Sequence, residues 1–193
     1  MSRMRHLAVV AALLLAAGCS HAPTTSTQSS LATPAPDFTL TDSTGAAWNL
    51  AAQRGKTLAL FFGYTHCGDT CPATAAKLAQ ALRQAHASAK DAEIVFVTID
   101  PQRDHPRQLA RFLQRFPGAP MVGLTGSQAQ IDGVLRDYHI YARKSAAEHA
   151  GNGYDFMHTA AFYIIDRNGR ERAVHNDDER VAEIAANVRS VMR

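Results

Sequence analysis

The chain has 193 residues, of which 20 are Lys or Arg and 17 are Asp or Glu, a formal net charge of +3. Arg3 and Arg5 lie in the first 18 residues, and the remainder carries 18 bases against 17 acids. That balance excludes the basic footprint of a nucleic-acid-binding protein. The length beyond the leader suits one domain with a real core.

Arg3 and Arg5, the apolar stretch Leu7 to Ala17, and Gly18-Cys19 form a segment too short to span a bilayer, which reads as a secretory signal over residues 1–18. Leu15-Ala16-Ala17-Gly18-Cys19 resembles a bacterial lipoprotein signal, in which the cysteine is lipid-modified and begins the mature chain, although Ala16 stands where Leu is commoner. An ordinarily cleaved signal and an uncleaved anchor are the alternatives. From Ser20 to Pro34 there is no Asp, Glu, Lys or Arg, so residues 19–34 are expected to be a lipid anchor and flexible linker of roughly 20 Å mean reach. Residues 35–193 are then the folded domain, exported and tethered to a bacterial membrane, in the periplasm or on the outer face of the cell membrane.

Ala35 to Leu40 and Ala46 to Leu50 flank turn residues and suit a short N-terminal hairpin. Thr57 to Phe62 is a continuous apolar run, as is Ile94 to Ile99, and both suit strands buried on two faces. Between them, Pro72 opens a helix with apolar residues at Ala75, Leu78, Ala79 and Leu82. Strand, helix and strand make a right-handed βαβ unit with parallel strands. Pro106 to Phe116 and Ser127 to Tyr138 read as helices around a strand at Met121 to Leu124, followed by a loop. Ala160 to Ile165 and Glu171 to His175 flank Asn168-Gly169, a hairpin turn signal, and a helix over Asp178 to Met192 closes the chain.

Cys67 and Cys71 form a C-x-x-x-C pair where the first buried strand ends and the helix begins. Ligand sites in open α/β sheets gather at the carboxyl ends of strands. Near a helix N-terminus a thiolate is stabilised by unpaired N–H groups, which makes it a better nucleophile and metal ligand. With Cys19 lipidated, these two are the only cysteines left in the mature domain. In an oxidising compartment they must be kept reduced by a partner to work as thiols. Spacing alone leaves a redox enzyme, a metal site and a disulfide open.

In this order, Ala35-Pro36-Asp37-Phe38, Gly63 through Pro72, Asp100-Pro101-Gln102-Arg103-Asp104, Leu124-Thr125-Gly126, and His158-Thr159-Ala160 running into Tyr163 and Asp166 resemble the Sco/SenC family of copper proteins across residues 35 to 192. The resemblance implies an α/β, thioredoxin-like fold: a central mixed sheet flanked by helices, with an N-terminal β-hairpin. It implies a copper site of Cys67, Cys71 and His158, holding Cu(I) and also Cu(II), and delivery of copper to the dinuclear copper centre of cytochrome c oxidase. The implied partners are that oxidase subunit, other periplasmic copper chaperones or a thiol reductant, and the membrane through the anchor; no nucleic acid is among them. Two thiolates and an imidazole are a soft set that suits Cu(I), while a closed zinc site normally needs four ligands. His158 lies 87 residues after Cys71, and its closure onto the thiols rests on the resemblance. Gly68 stands where many members carry Pro, and Met157 where many carry an Asp that can orient the histidine; Asp155 is a candidate substitute. Met157 is soft enough for Cu(I), but a Met entering a strand is usually packing.

The alternative is a thiol-disulfide reductase in which Cys67 and Cys71 attack and resolve. Thioredoxin-type enzymes usually place two residues between the cysteines and a proline before a later strand. Here there are three residues between, and no proline follows Pro120. Arg103, Arg107, Arg111 and Arg115 recur every four residues, a solvated helix face or a docking surface for an acidic partner. Asp100 and Asp104 are expected to cap and order the loop entering the helix that has Pro106 at its first turn.

Overall fold

A computed structural model describes residues 33–146 and 153–193. Residues 1–32, including Cys19, the signal and nearly all of the linker, lie outside it. Among the described residues no helix is long and apolar enough to cross a membrane.

Ten strands and four helices follow in order: β1 Thr33–Pro34, β2 Thr39–Asp42, β3 Ala47–Asn49, β4 Thr57–Gly63, α1 Thr70–Gln84, β5 Ala92–Thr98, α2 Pro106–Leu113, β6 Met121–Thr125, α3 Gln128–Asp137, β7 Ala142–Ala146, β8 Tyr154–His158, β9 Ala161–Ile165, β10 Arg170–Asn176 and α4 Val181–Val191. Eight strands form one mixed sheet, ordered β1-β10-β9-β4-β5-β6-β2-β3, and β7 and β8 form a separate two-stranded sheet. β4 and β5 pair in parallel, and β9 runs antiparallel on the other side of β4. The architecture is α/β and thioredoxin-like, with the N-terminal hairpin β2–β3 at one edge.

All seven residues of β4 are buried, which is why its sequence is continuous rather than alternating. Leu58, Leu60 and Phe62 pack into one core with Leu40, Trp48, Val95 and the α3 residues Ile131, Val134 and Leu135. Ala59 and Phe61 face the other way, into a core shared with α1, α2 and α4 through Leu78, Leu82, Leu109, Phe112, Ile184 and Val188. The period-2 geometry of a strand thus divides one apolar run between two helical layers.

Several boundaries differ from the sequence expectation. Thr33 and Pro34, expected in the linker, pair with Glu171 and Arg170 of β10. α1 starts at Thr70 with Asp69 at its N-cap, so Pro72 sits inside the first turn, where its missing N–H costs no helical bond. The stretch expected as a loop before β9 contains the β7–β8 hairpin, with Ala142 opposite His158 and Arg143 opposite Met157.

Candidate metal centre

β4 ends at Gly63, in the middle of the sheet, and its chain continues through Tyr64, Thr65 and His66 to Cys67. Cys67 is half-buried and Cys71 buried, and both thiols are free. The Cys71 N–H donates to Cys67 Sγ at 3.2 Å. The thiols are electrostatically unequal. Hydrogen bonding from the Cys71 side chain lowers the Cys67 thiol to about 6, opposed by burial and assisted by the backbone N–H groups of Cys71, Thr70 and Asp69 at the start of α1. Cys71 is pushed far upward, first because it donates to Cys67, then by burial and by the neighbouring Cys67 charge. At neutral pH the pair is one thiolate and one thiol sharing a proton.

Alkylation by iodoacetamide, followed across pH, is therefore expected to modify Cys67 with a midpoint near 6 while Cys71 stays unmodified. Equal labelling of both, or a midpoint near the ordinary thiol value, would contradict this asymmetry. Because the folded-state value of Cys67 is depressed, its contribution to stability is present above about pH 9 and is lost as pH falls through 6.

His158 is the last residue of β8. Its Nδ1 lies 3.0 Å from the carbonyl oxygen of Thr159, which assigns the proton to Nδ1 and leaves the Nε2 lone pair free. Burial lowers the imidazole below its usual value, opposed by this hydrogen bond and by the charge of Asp177. Asp155 does not serve His158 here; its Oδ1 accepts from the Tyr64 hydroxyl at 3.3 Å. No carboxylate stands at position 157, and the His158 ring is held instead by the Thr159 backbone carbonyl.

Met157 itself is 65% exposed, so the packing expectation for it fails. Alternation along β8 turns it away from the face that carries Phe156 and His158. His66 lies beside Thr65 Oγ1 at 3.2 Å and 3.6 Å from Asp104.

Two elements join the halves of the site, and the sequence reading gave neither this role. Tyr64 accepts the Cys67 N–H on its carbonyl at 3.2 Å, and its own N–H serves the Cys71 sulfur. Its ring packs edge-on against His158 at 6.1 Å and tilted against Phe156 at 5.4 Å. Residues 100–104 form the second link. Asp104 is fully buried and accepts from the Thr65 N–H at 2.8 Å, Thr65 Oγ1 at 2.6 Å and Thr98 Oγ1 at 2.6 Å. It thus grips the thiol loop. α2 starts at Pro106 after an N-cap at His105 that has no side-chain cap, so Asp100 and Asp104 do not cap the helix, although both order the chain leading into it. Asp100 pairs with Arg103 and accepts from the Tyr154 hydroxyl at 2.9 Å. Arg103 donates to the Tyr154 carbonyl at 3.0 Å and lies 3.8 Å from the centre of its ring. One end of this segment holds the thiols and the other the histidine hairpin.

Among the described residues no group of three His, Cys, Asp or Glu side chains is close enough to hold a metal as it stands. The donor types are nonetheless matched to a soft monovalent cation: a thiolate, a thiol with one proton to lose and a neutral imidazole with a free Nε2.

Fold and site together define a thioredoxin-like protein with an asymmetric dithiol at a strand end and a histidine hairpin packed beside it. Residues 26–193 match the SCO1/SenC family, and the chain belongs to that family. It is 34% identical over 166 residues to the mitochondrial SCO2 homologue of Bos taurus, covering 81% of this chain and 62% of that one. It therefore spans about six-tenths of the length of that relative. Among solved structures, copper-bound ScoI of Bradyrhizobium japonicum is 33% identical with a TM-score of 0.72, covering 82% of this chain and 99% of that one. Copper-bound ScoI of Arabidopsis thaliana is 29% identical with a TM-score of 0.75, covering 82% and 98%.

Proposed function

We propose that this protein is an exported copper chaperone that carries one copper ion between Cys67, Cys71 and His158. It delivers the ion to the dinuclear copper centre of cytochrome c oxidase. Cys19 is its lipid anchor, residues 1–18 its signal and residues 35–193 its working domain. The observation that carries this reading is the donor set: a thiolate prepared by α1 and Cys71, and an imidazole with Nε2 left free that packs against Tyr64, the residue bonded to the thiol loop. Copper bound to two related proteins of the same fold supports it. Copper is cargo here. Binding displaces the Cys71 proton and replaces the sulfur-to-sulfur hydrogen bond with two sulfur–metal bonds, so affinity rises with pH. Half-burial of Cys67 leaves a sulfur that an incoming ligand can reach, as transfer requires.

A Cu(I) competition titration of the reduced protein, repeated on His158→Ala, tests this. One tightly held copper is expected, and the variant should lose more than the roughly 10- to 100-fold that removal of an outer-shell partner costs. Equal affinity in both proteins would remove His158 from the site.

The low value of Cys67 also favours a second reading, reduction of a disulfide in a copper-receiving protein. The Cys67 thiolate would attack one target sulfur, the other target sulfur leaving as a thiolate. Cys71, giving up its proton, then attacks Cys67 in the mixed disulfide. The products are a Cys67–Cys71 disulfide and a reduced target, and an external thiol reductant restores the pair. Brisk reduction of insulin disulfides without copper binding would promote this role over the first.

A further inference from the structure

The arginines that recur every four residues separate in the structure. Arg103 is spent on Asp100 and Tyr154. Arg111 and Arg115 remain exposed, the first donating to Gln108 Oε1 at 3.3 Å and the second lying 5.6 Å from the centre of the Phe112 ring. Among the described residues neither has a carboxylate partner. With Thr65, His66, Gln108 and Phe112 they line an open depression of about 230 Å³ between α2 and the thiol loop. His66 is the residue next to Cys67. The Asp104 carboxylate, 3.6 Å from its Nδ1, is fully buried and also accepts from Thr65 and Thr98. Two guanidinium groups thus stand without a carboxylate partner at the border of the candidate site.

We propose that this depression docks an acidic segment of the protein that exchanges metal with Cys67, with an Asp or Glu carboxylate seated between Arg111 and Arg115. The inference rests on the copper-transfer reading for the purpose of docking, though not for the existence of the site. A guanidinium fork matches a carboxylate in two parallel hydrogen bonds, and Phe112 with the stem of Arg115 gives the site an apolar floor. The chain beyond the leader, these arginines included, is near charge balance, with 18 bases against 17 acids, so an acidic partner is steered to this border rather than to the whole surface. Carboxylate capture in a depression lined by His66, the neighbour of Cys67, orients the partner's own ligands toward the exposed side of that sulfur. Metal transfer needs that approach, and a protein rather than a small anion supplies it.

The test uses the full, reduced chain and hexaglutamate as the probe, followed by nuclear magnetic resonance, with an Arg111→Glu, Arg115→Glu variant. Hexaglutamate is expected to shift the signals of His66, Arg111 and Arg115 in the parent protein, to be weakened by salt, and to shift none of them in the variant. The variant's association rate with the apo copper-binding domain of an oxidase subunit should fall at least about tenfold, while its Cu(I) affinity and the Cys67 alkylation midpoint stay unchanged. Absence of shifts at these three residues overturns the docking site whether or not copper binds. Displacement of hexaglutamate by equimolar inorganic phosphate reduces it to an anion site and overturns protein docking. Intact shifts in a protein that fails to load Cu(I) overturn the copper reading alone.

Discussion

Asp104→Ala is expected to loosen the thiol loop and to cost about 3–5 kcal/mol of stability, lowering the melting temperature by roughly 6–20 °C. The carboxylate is fully buried and accepts three hydrogen bonds, two of them from Thr65. Truncation strands those donors in a site that water reaches poorly, and each stranded donor costs about 1–3 kcal/mol. The loss is local as well as global, because Thr65 begins the loop that ends at Cys67. Amide exchange at Thr65 should accelerate well before β4 opens, and the Asp104 charge that helps hold Cys71 in its thiol form disappears. Asp104→Asn should recover part of the stability, since one amide oxygen still accepts. A Thr65 amide as protected in the alanine variant as in the parent would refute the clamp.

Gly63→Ala should damage the thiol pair more selectively. A Cβ at this position would stand 2.7 Å from Cys71 Sγ and 3.1 Å from Phe96 Cε2. Phe96 cannot yield, because it is fully buried and stacked between Phe61 and Phe112 with ring centres 5.0 and 4.8 Å away. Cys71 must move instead, at a cost of about 1–3 kcal/mol for overpacking. Its hydrogen bond to Cys67 is the largest cause of the low Cys67 value, so the alkylation midpoint should climb toward the ordinary thiol range. An unchanged midpoint in a folded variant would show that α1, rather than Cys71, sets the thiolate.

The parts of the fold that were legible in the sequence are those whose burial is complete. β4 and β5 announce themselves as unbroken apolar runs because both faces are covered, and the β9–β10 turn is marked by Asn168-Gly169, where Gly169 has a φ of +74°. The β7–β8 hairpin was not legible. Its strands, Ala-Arg-Lys-Ser-Ala and Tyr-Asp-Phe-Met-His, have only one partner each and much of their surface exposed, so neither pattern nor propensity distinguishes them from a loop.

The site divides in the same way. Cys67 and Cys71 are close in sequence and could be read from it, whereas His158 entered only through resemblance. Tyr64, Asp104 and Tyr154 were missed because their partners lie 39 to 92 residues away. Asp104 looked like a cap because it stands just before a helix, yet β5 and the thiol loop claim its oxygens first.

The segment from Asp100 to Asp104 has a consequence for anyone who wishes to move this chemistry to another scaffold. Transplanting residues 63–72 alone would carry the two sulfurs and the start of their helix, but not the buried carboxylate on which Thr65 rests. Adding the histidine hairpin without Asp100 and Arg103 would leave Tyr154 with nothing to stand on. The smallest portable unit is three separate pieces of chain, and the middle piece contributes none of the proposed ligands.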